Sequence, residues 1–338
     1  MQRLHRILLC AVFLTGGTML AQAPGSKEIK AHEALVYSLA FSPDGKLLAS
    51  AGFDGLVKIW EFDPSKGELK EKLKLTGHAG PVYCVSYNKD GSLLASSSQD
   101  KTIRLWTPAD GKMQRELKGH GDIVDNIAFS PDGKLLASAS ADKSVRLWNP
   151  ADGKEVKNLG SHAKSVYAVS FSPDGKQLAS AGADNIIKIY DLASQKELKQ
   201  LKGHTEPVTG IAFTPDGKGI ASISQDRSVR VWDVASGKET KVLGPQVTTK
   251  DEKTGKATTG PGPNEDDLYG IAFVRNGKAL ATSGYGGWLK VWDIDAGKPT
   301  FSQKLKAFGA YCVTFTPDGK ALITGHDNHN IYITPLGK

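Results

Sequence analysis

Three features are scarce or absent in this sequence: cysteine, runs of basic residues, and apolar stretches long enough to cross a membrane. Only three cysteines occur in 338 residues, too few and too widely spaced for a metal site built from thiolates. The net charge is +7, but the lysines are scattered and no Lys/Arg run marks a groove for nucleic acid. The longest apolar stretch, ILLCAVFLTGGTML, has fourteen residues, which is short for a transmembrane helix. We therefore expect a globular protein that binds no nucleic acid.

That apolar stretch belongs to an N-terminal segment that differs from the rest of the chain. Arg3 and Arg6 precede it, and Ala21-Gln22-Ala23 follows as a small-residue cleavage site. This order is typical of a secretory signal peptide. We expect residues 1–23 to be removed; a cut after Ala21, given Pro24, and an uncleaved anchor are the alternatives. The remaining chain, residues 24–338, is then a single domain, secreted or periplasmic, without a membrane span.

The rest of the chain repeats itself about every 42 residues. Each of the first five units places a Ser eighteen residues after a His, an Asp twenty-two after it and an aromatic residue twenty-eight after it. The five sets are His32, Ser50, Asp54, Trp60; His78, Ser96, Asp100, Trp106; His120, Ser138, Asp142, Trp148; His162, Ser180, Asp184, Tyr190; and His204, Ser222, Asp226, Trp232. Two further units, beginning near Asn264 and Lys306, keep only part of the set. Seven units of this length, each with four strand-like runs, are typical of propeller blades.

These residues and spacings resemble those of the WD-repeat β-propeller family, over nearly all of the chain after residue 26. The resemblance implies an all-β fold: a seven-bladed β-propeller with four-stranded antiparallel blades, whose strands are named a to d in chain order. In that family the four recurring residues form a hydrogen-bonded network that ties the d–a loop to the b–c turn and to strand c. We expect this structural role rather than catalytic triads, because an enzyme needs one such site and this chain has five.

The closure of the ring is predicted as well. The chain stops at Lys338, just after strand c of the last unit, and SKEIKAH before His32 matches the strand d segment QKELKQLKGH. We expect residues about 26–31 to supply strand d of blade seven, which leaves few sheet edges exposed. Between strands a and b, turns such as Ser42–Gly45 are expected, because Gly accepts a positive φ.

A partner is expected on the face that carries the d–a loops and b–c turns, where propellers of this family commonly bind. The residue five past each His position should lie near the channel mouth on that face; in chain order these are Tyr37, Tyr83, Asp125, Tyr167, Thr209, Tyr269 and Tyr311. The residue before each Asp position adds Phe53 and Tyr285, two unusual choices for an exposed turn. Tyr is frequent at interfaces, so we interpret these residues as a binding surface. The alternative is that they pack between neighbouring a strands.

Residues 244–263 form an insertion between strand d of blade five and strand a of blade six. The stretch is rich in Thr, Gly, Pro and Lys and has no apolar periodicity, so we expect a flexible loop. It leaves the blade on the same face as the tyrosines. Two hypotheses remain open for it: a flap that helps to hold a partner, and a surface insertion without function, since long loops cost little.

The function expected from these features is that of a non-enzymatic interaction scaffold, monomeric by itself, that binds a protein or peptide outside the cytoplasm. No catalytic residue, metal or cofactor is predicted. The alternatives are a propeller enzyme or enzyme subunit that acts on a peptide or sugar at the mouth, and a small-ligand or metal binder. His326, Asp327 and His329 are the local cluster that the metal hypothesis would use, although ordinary turn chemistry also explains them.

Cys84 and Cys312 occupy the same strand a position in blades two and seven, with blade one between them. That arrangement places them beyond the roughly 7 Å Cα separation that a disulfide allows. Two buried free thiols are therefore expected.

Overall fold

β-Strands make up all of the regular structure in the described part of the chain. The computed structural model describes residues 25–244, 246–250, 257–261, 264–274, 277–305 and 309–337. The expected signal segment, residues 1–23, and the start of the seventh unit at Lys306 lie outside the described residues. Across those described ranges, no helix has the length and hydropathy needed to cross a membrane.

Seven four-stranded antiparallel sheets form the blades, and the first strand, β1 (Lys27–Lys30), belongs to the last of them. The strands of blades one to three are β2 Val36–Phe41, β3 Leu47–Gly52, β4 Val57–Asp63, β5 Glu68–Leu75; β6 Val82–Tyr87, β7 Leu94–Ser98, β8 Ile103–Trp106, β9 Met113–Leu117; and β10 Val124–Phe129, β11 Leu136–Ser140, β12 Ser144–Trp148, β13 Glu155–Ser161. Those of blades four and five are β14 Val166–Phe171, β15 Gln177–Gly182, β16 Ile186–Asp191, β17 Lys196–Lys202; and β18 Val208–Phe213, β19 Gly219–Ser224, β20 Val229–Asp233, β21 Glu239–Leu243.

The remaining strands belong to the insertion and to blades six and seven. They are β22 Gln246–Lys250 and β23 Ala257–Pro261; β24 Leu268–Phe273, β25 Ala279–Gly284, β26 Trp288–Asp293, β27 Lys298–Lys304; and β28 Ala310–Phe315, β29 Ala321–His326, β30 Asn330–Pro335. The predicted seven-bladed, all-β propeller is confirmed.

The core lies between the blades rather than within one central layer. Each of seven clusters of buried apolar side chains combines residues from two neighbouring blades, and the seventh joins blade seven to blade one. Strand b is made of small and apolar residues, as in LLASAG of β3, and is almost entirely buried. Strand d is largely exposed, as in ELKEKLKL of β5. Apolar burial therefore holds each blade against both of its neighbours.

The ring closes as the sequence predicts. Strand β1 pairs antiparallel with β30, with Lys27 opposite Ile333 and Lys30 opposite Asn330. Ala31, which directly follows β1, is 1% exposed and packs in the cluster between blades seven and one. The first strand of the propeller thus covers the edge that strand c of blade seven would otherwise expose.

The a–b turns also match the prediction. In blade one, Ser42 Oγ donates to Asp44 Oδ1 at 2.6 Å, and Gly45 has a φ of +73°. A side chain at Gly45 would also collide with Pro317 of blade seven, since a Cβ there would lie 2.5 Å from its ring. Glycine is therefore required at this turn both for its backbone angle and for the contact between blades.

Part of the insertion expected at residues 244–263 forms regular structure. Strands β22 and β23 pair antiparallel as a two-stranded hairpin, with Thr248 opposite Thr259 and Thr249 opposite Thr258. The threonines that suggested a polar loop are β-branched, and such residues favour extended strands. The strand preference of these threonines was missed because the segment lacks the alternation of apolar and polar residues by which strands are usually predicted.

Candidate functional site at the channel mouth

The four recurring residues of each of the first five blades form one chain of hydrogen bonds. In blade two, Trp106 Nε1–H donates to Ser96 Oγ at 2.8 Å, Ser96 lies 2.8 Å from His78 Nε2, and His78 Nδ1 lies 2.8 Å from Asp100 Oδ2. The Ala79 backbone N–H donates to the same carboxylate oxygen at 3.0 Å. A neutral His that donates to Asp and accepts from Ser satisfies every group in this chain. The set therefore joins strand c, strand b, the b–c turn and the d–a loop.

The same contacts recur in blades one, three, four and five. The His Nδ1 to Asp distances are 3.0 Å in blade one, 2.8 Å in blades three and five, and 2.9 Å in blade four. Blade four carries Tyr190 in place of Trp, and Ser180 Oγ donates to its hydroxyl at 3.5 Å. All five serines of these sets are 0% exposed. A substrate therefore has no access to their hydroxyls, so the geometry serves hydrogen bonding within the blade.

Electrostatics stabilises the ionised carboxylates of these sets. Burial by itself would raise the pKa of Asp100, but hydrogen bonds from His78 and Thr102 outweigh it and hold that pKa far below its usual range. Asp142 and Asp226 behave in the same way. Each carboxylate is thus charged at neutral pH and fully hydrogen-bonded, as a buried charge requires.

A second recurring contact escaped the sequence reasoning. The residue twenty-six past each His is basic and pairs with a Glu on strand d: Lys58 with Glu71, Arg104 with Glu116, Arg146 with Glu155, Lys188 with Glu197, and Arg230 with Glu239. The shortest nitrogen–oxygen distances are 2.6 Å, in blades one and five. The fixed spacing of these basic residues was the signal that could have revealed the pairs.

Blade six rebuilds its network with different residues. Trp292 Nε1–H still donates to Thr282 at 2.9 Å, but Asn264 stands in the His position. Lys290 is 5% exposed, and its Nζ donates to Glu265 at 2.6 Å and to Asn264 at 3.2 Å. The ammonium also lies 5.4 Å from the centre of the Trp292 ring. A buried lysine therefore replaces the missing His as the donor between the d–a loop and strand c.

In blade six the carboxylate comes from the d–a loop instead of the b–c turn. Gly286 stands in the Asp position, and its backbone N–H donates to Asp266 of the d–a loop. In the first five blades the b–c turn supplies the carboxylate and the d–a loop supplies the N–H, as with Asp100 and Ala79. Burial nevertheless raises the pKa of Asp266, and its buried Oδ1 has no hydrogen-bond partner among the described residues.

Blade seven places His326, from the end of β29, where blades one to five use a His from the d–a loop. Its Nε2 lies 2.7 Å from Thr324 Oγ1, and its ring makes an edge contact with Tyr332 at 4.7 Å between centres. The side chain is completely buried. Among the described residues, no group of three His, Cys, Asp or Glu side chains is arranged to hold a metal ion. The structure thus gives the predicted cluster of His326, Asp327 and His329 no metal-binding geometry.

The seven residues predicted for the channel mouth all line one cavity of about 260 Å³ at the centre of the ring. They are Tyr37, Tyr83, Asp125, Tyr167, Thr209, Tyr269 and Tyr311. Their exposure is not uniform. Tyr83, Asp125, Thr209 and Tyr311 are 4%, 5%, 6% and 7% exposed and form the packed wall, whereas the other three side chains are partly exposed.

Six aromatic residues of blades six, seven, one and two form a continuous cluster of rings at the mouth, here called the aromatic crescent: Tyr269, Tyr285, Tyr311, Tyr37, Phe53 and Tyr83. Tyr37 lies 5.2 Å from both Phe53 and Tyr83, measured between ring centres. Tyr311 lies 6.0 Å from Tyr37, 5.2 Å from Tyr269 and 6.5 Å from Tyr285. Tyr285 is 40% exposed, so the crescent reaches solvent.

The two cysteines of the propeller are free, as expected. Cys84 is buried, whereas Cys312 is partly exposed. Burial of its sulfur nevertheless raises the pKa of the Cys312 thiol to about 12. A thiol with so high a pKa stays protonated at neutral pH and is a poor nucleophile.

Seven stretches of the chain match the family described as WD domain, G-beta repeat: residues 26–61, 69–107, 111–149, 153–191, 195–233, 256–293 and 299–333. The matched stretches include the two blades whose polar sets are incomplete, and together they cover well over half of the chain. Comparison with curated proteins finds no significant match.

Proposed function

The chain belongs to the WD domain, G-beta repeat family, and from that premise we propose that it is a non-enzymatic scaffold that binds a protein or peptide at the channel mouth. Propellers of this family commonly act as protein-interaction scaffolds. The observation that carries the proposal is the aromatic crescent, because its partly exposed rings pack on neighbouring rings and still reach solvent, as favourable interface residues do.

The distribution of acidic groups supports a binding role over an enzymatic one. General acid–base chemistry needs groups that converge on one place. The acidic residues that depart from the repeat near the mouth are spread over three blades: Asp125 in blade three, Glu265 and Asp266 before β24 of blade six, and Asp327 in blade seven. The serines of the recurring sets are buried and engaged in hydrogen bonds with His and Trp.

Export from the cytoplasm is part of the proposal. It rests on Arg3, Arg6, the apolar stretch and the small-residue site at Ala21-Gln22-Ala23. Sequencing the N-terminus of the protein from its native cells should find a start at Gln22 or Pro24. An intact Met1 on the accumulated protein contradicts export with cleavage.

Site-specific photo-crosslinking tests where a partner binds. A photoreactive residue at Tyr285, which is 40% exposed, is compared with one at Leu198 on outer strand β17, which is 49% exposed. We expect a discrete crosslinked product in native cells from position 285 and none from position 198. Equal crosslinking at both positions, or none at 285 and at a second mouth position, Phe53, contradicts the proposed binding face.

A further inference from the structure

One position on strand d contacts the following blade in most of the ring. It is the residue that pairs with the one before the Trp position of strand c. In blades one to seven it is Leu73, Arg115, Lys157, Lys199, Lys241, Phe301 and Lys27. Five of the seven are basic, and four of these five donate to a backbone carbonyl in the turn between strands c and d of the next blade.

The contact is most complete between blades four and five. Lys199 Nζ, on β17 of blade four, donates to the carbonyl oxygen of Val234 at 2.9 Å and also to that of Ala235. Both carbonyls belong to the c–d turn of blade five. One ammonium group thus makes two charge-assisted hydrogen bonds across the boundary between the blades.

Blades five and six are joined in the same way. Lys241 Nζ, on β21, donates to the carbonyl oxygens of Ile294 at 2.7 Å and Asp295 at 2.8 Å. These two blades have the longest d–a connection of the ring, residues 244–267, so the chain itself restrains them little. The lysine ties them together at the opposite face, where the c–d turns lie.

Two further contacts of this kind are slighter. Arg115 of blade two and Lys27 of β1 each donate to one carbonyl of the next blade, that of Ala151 and that of Lys66. The Lys27 side chain is 51% exposed. Exposed polar contacts of charged side chains contribute little to stability, so these two boundaries are tied less firmly.

The boundary between blades three and four shows what the contact requires. Lys157 holds the same position there, but among the described residues it has no hydrogen bond to blade four. The c–d turn of blade four carries Gln195 where that of blade five carries Gly237. A Cβ at Gly237 would already lie 3.4 Å from Lys199 Cδ, so a longer side chain would displace the lysine. Gln195 therefore accounts for the missing contact.

We propose that Lys199 and Lys241 are clamps that make blades four, five and six one rigid unit, and that the ring adjusts its shape at its other boundaries. Leu73 and Phe301 pack instead in apolar clusters between their blades. Apolar contacts are non-directional and tolerate small sliding, whereas hydrogen bonds weaken when their distance and angle change.

The edge of this unit crosses the aromatic crescent. Tyr269 and Tyr285 belong to blade six, and both contact Tyr311 of blade seven, with ring centres 5.2 Å and 6.5 Å apart. A partner that spans the crescent would meet one fixed part and one adjustable part. The clamps do not depend on any partner, so this inference stands or falls independently of the proposed function.

Spin labels on the c–d turns test the rigid unit. Asp152, Ser194 and Ser236 hold the same place in the turns of blades three, four and five, and all three are exposed. Cysteines introduced at 194 and 236 span the clamped boundary, and cysteines at 152 and 194 span the unclamped one. By pulsed electron paramagnetic resonance we expect a narrower distance distribution for the first pair. Lys199→Met, which keeps the apolar stem, should broaden it to the width of the second.

The chain offers matched controls. Lys157→Met removes the same charge from the same position without removing a contact, so it should change neither distribution. Lys199→Arg should keep much of the narrow distribution, because Arg115 makes the corresponding contact in blade two. The protein without introduced cysteines gives the background labelling of Cys84 and Cys312.

Thermal melts of the unlabelled variants give a second readout. Lys199→Met should lower the melting temperature by about 2–4 °C, since it removes hydrogen bonds from a charged donor, and Lys157→Met should not. Equal widths for the two label pairs in the parent, or no broadening in Lys199→Met, overturns the inference. If Lys199→Met does not fold, Lys241→Met with labels at Ser236 and Ala296 applies the same test to blades five and six.

Discussion

Blades one to five and blades six and seven link their loops to their strands through different sets of hydrogen bonds. In the first group every His, Ser and Asp of the recurring set has its partner, and the carboxylate pKa values are lowered. In the second group the set is rebuilt from Lys290, Asp266 and His326. Both carboxylates that bury an oxygen without a partner among the described residues, Asp266 and Asp327, lie in that second group.

The two irregular blades also carry two residues of the mouth that lie outside the recurring set. Tyr285, the most exposed member of the aromatic crescent, and Asp327 both lie there. The apolar clusters that join these blades to their neighbours are intact, so the ring holds them in place without the regular network. Groups that destabilise the folded state are often found where a protein binds a ligand.

The largest expected effect comes from removing the strand that completes blade seven. Deleting residues 24–31 exposes the edge of β30 and removes Ala31 from the cluster between blades seven and one. We expect a loss of stability on the order of 5 kcal/mol, from lost strand hydrogen bonds and apolar burial. Thermal denaturation measures it, with Lys27→Gln, an exposed change within β1, as the control. An unchanged melting temperature contradicts the closure.

A smaller loss is expected when one regular network is broken. Asp100 accepts hydrogen bonds on both oxygens, from His78 and Ala79 on one and from Thr102 on the other. Asp100→Asn places an NH₂ against one of these sets of donors, so we expect a loss of about 1–3 kcal/mol at pH 7 in chemical denaturation.

The pH dependence of that loss has a definite sign. Because the folded pKa of Asp100 lies below its unfolded value, the carboxylate stabilises the fold above about pH 4, and the contribution disappears as the pH falls further. The stability difference between the parent and Asp100→Asn should therefore be full at pH 7 and shrink below pH 4. A difference that stays constant with pH shows that the charge is not responsible.

The opposite sign is expected for Asp327→Asn. Burial raises the folded pKa of Asp327, so ionisation destabilises the fold once the pH passes the unfolded value, about 4. Removing the charge should stabilise the protein by about 1 kcal/mol at pH 7 and have no effect well below pH 4. Denaturation of the Asn variant across this range measures the gain. If the variant is less stable than the parent at pH 7, the distinction between the two groups of blades fails.

The smallest effect requires no substitution. Blades six and seven lack the regular network, so we expect their amides in β24–β26 and β28–β30 to exchange faster than those in β6–β8 of blade two. Native-state hydrogen exchange resolved by peptide compares the two regions in one sample. Slowest exchange in blades six and seven means that the rebuilt contacts are as strong as the regular ones.

Much of the fold could be predicted from the sequence because its signals are local. The spacing of His32, Ser50, Asp54 and Trp60 and its four further copies marks the loop, strand b, the b–c turn and strand c within each blade. The mouth positions followed from the same register. Blade six was different: the sequence shows that Gly286 has lost a carboxylate, but Asp266, which replaces it, lies twenty residues earlier on another loop.

The sequence by itself determined the number of blades, the order of their strands and the seven residues that line the mouth, since each follows from a repeat read along one chain. Only the tertiary structure decided which of those residues are buried, as Tyr83 is at 4%, and whether Asp327 Oδ1 finds a donor. Burial and hydrogen-bond satisfaction depend on atoms from the neighbouring blades. Linear spacing places a residue on a face of the ring, but the packing of adjacent sheets sets its environment.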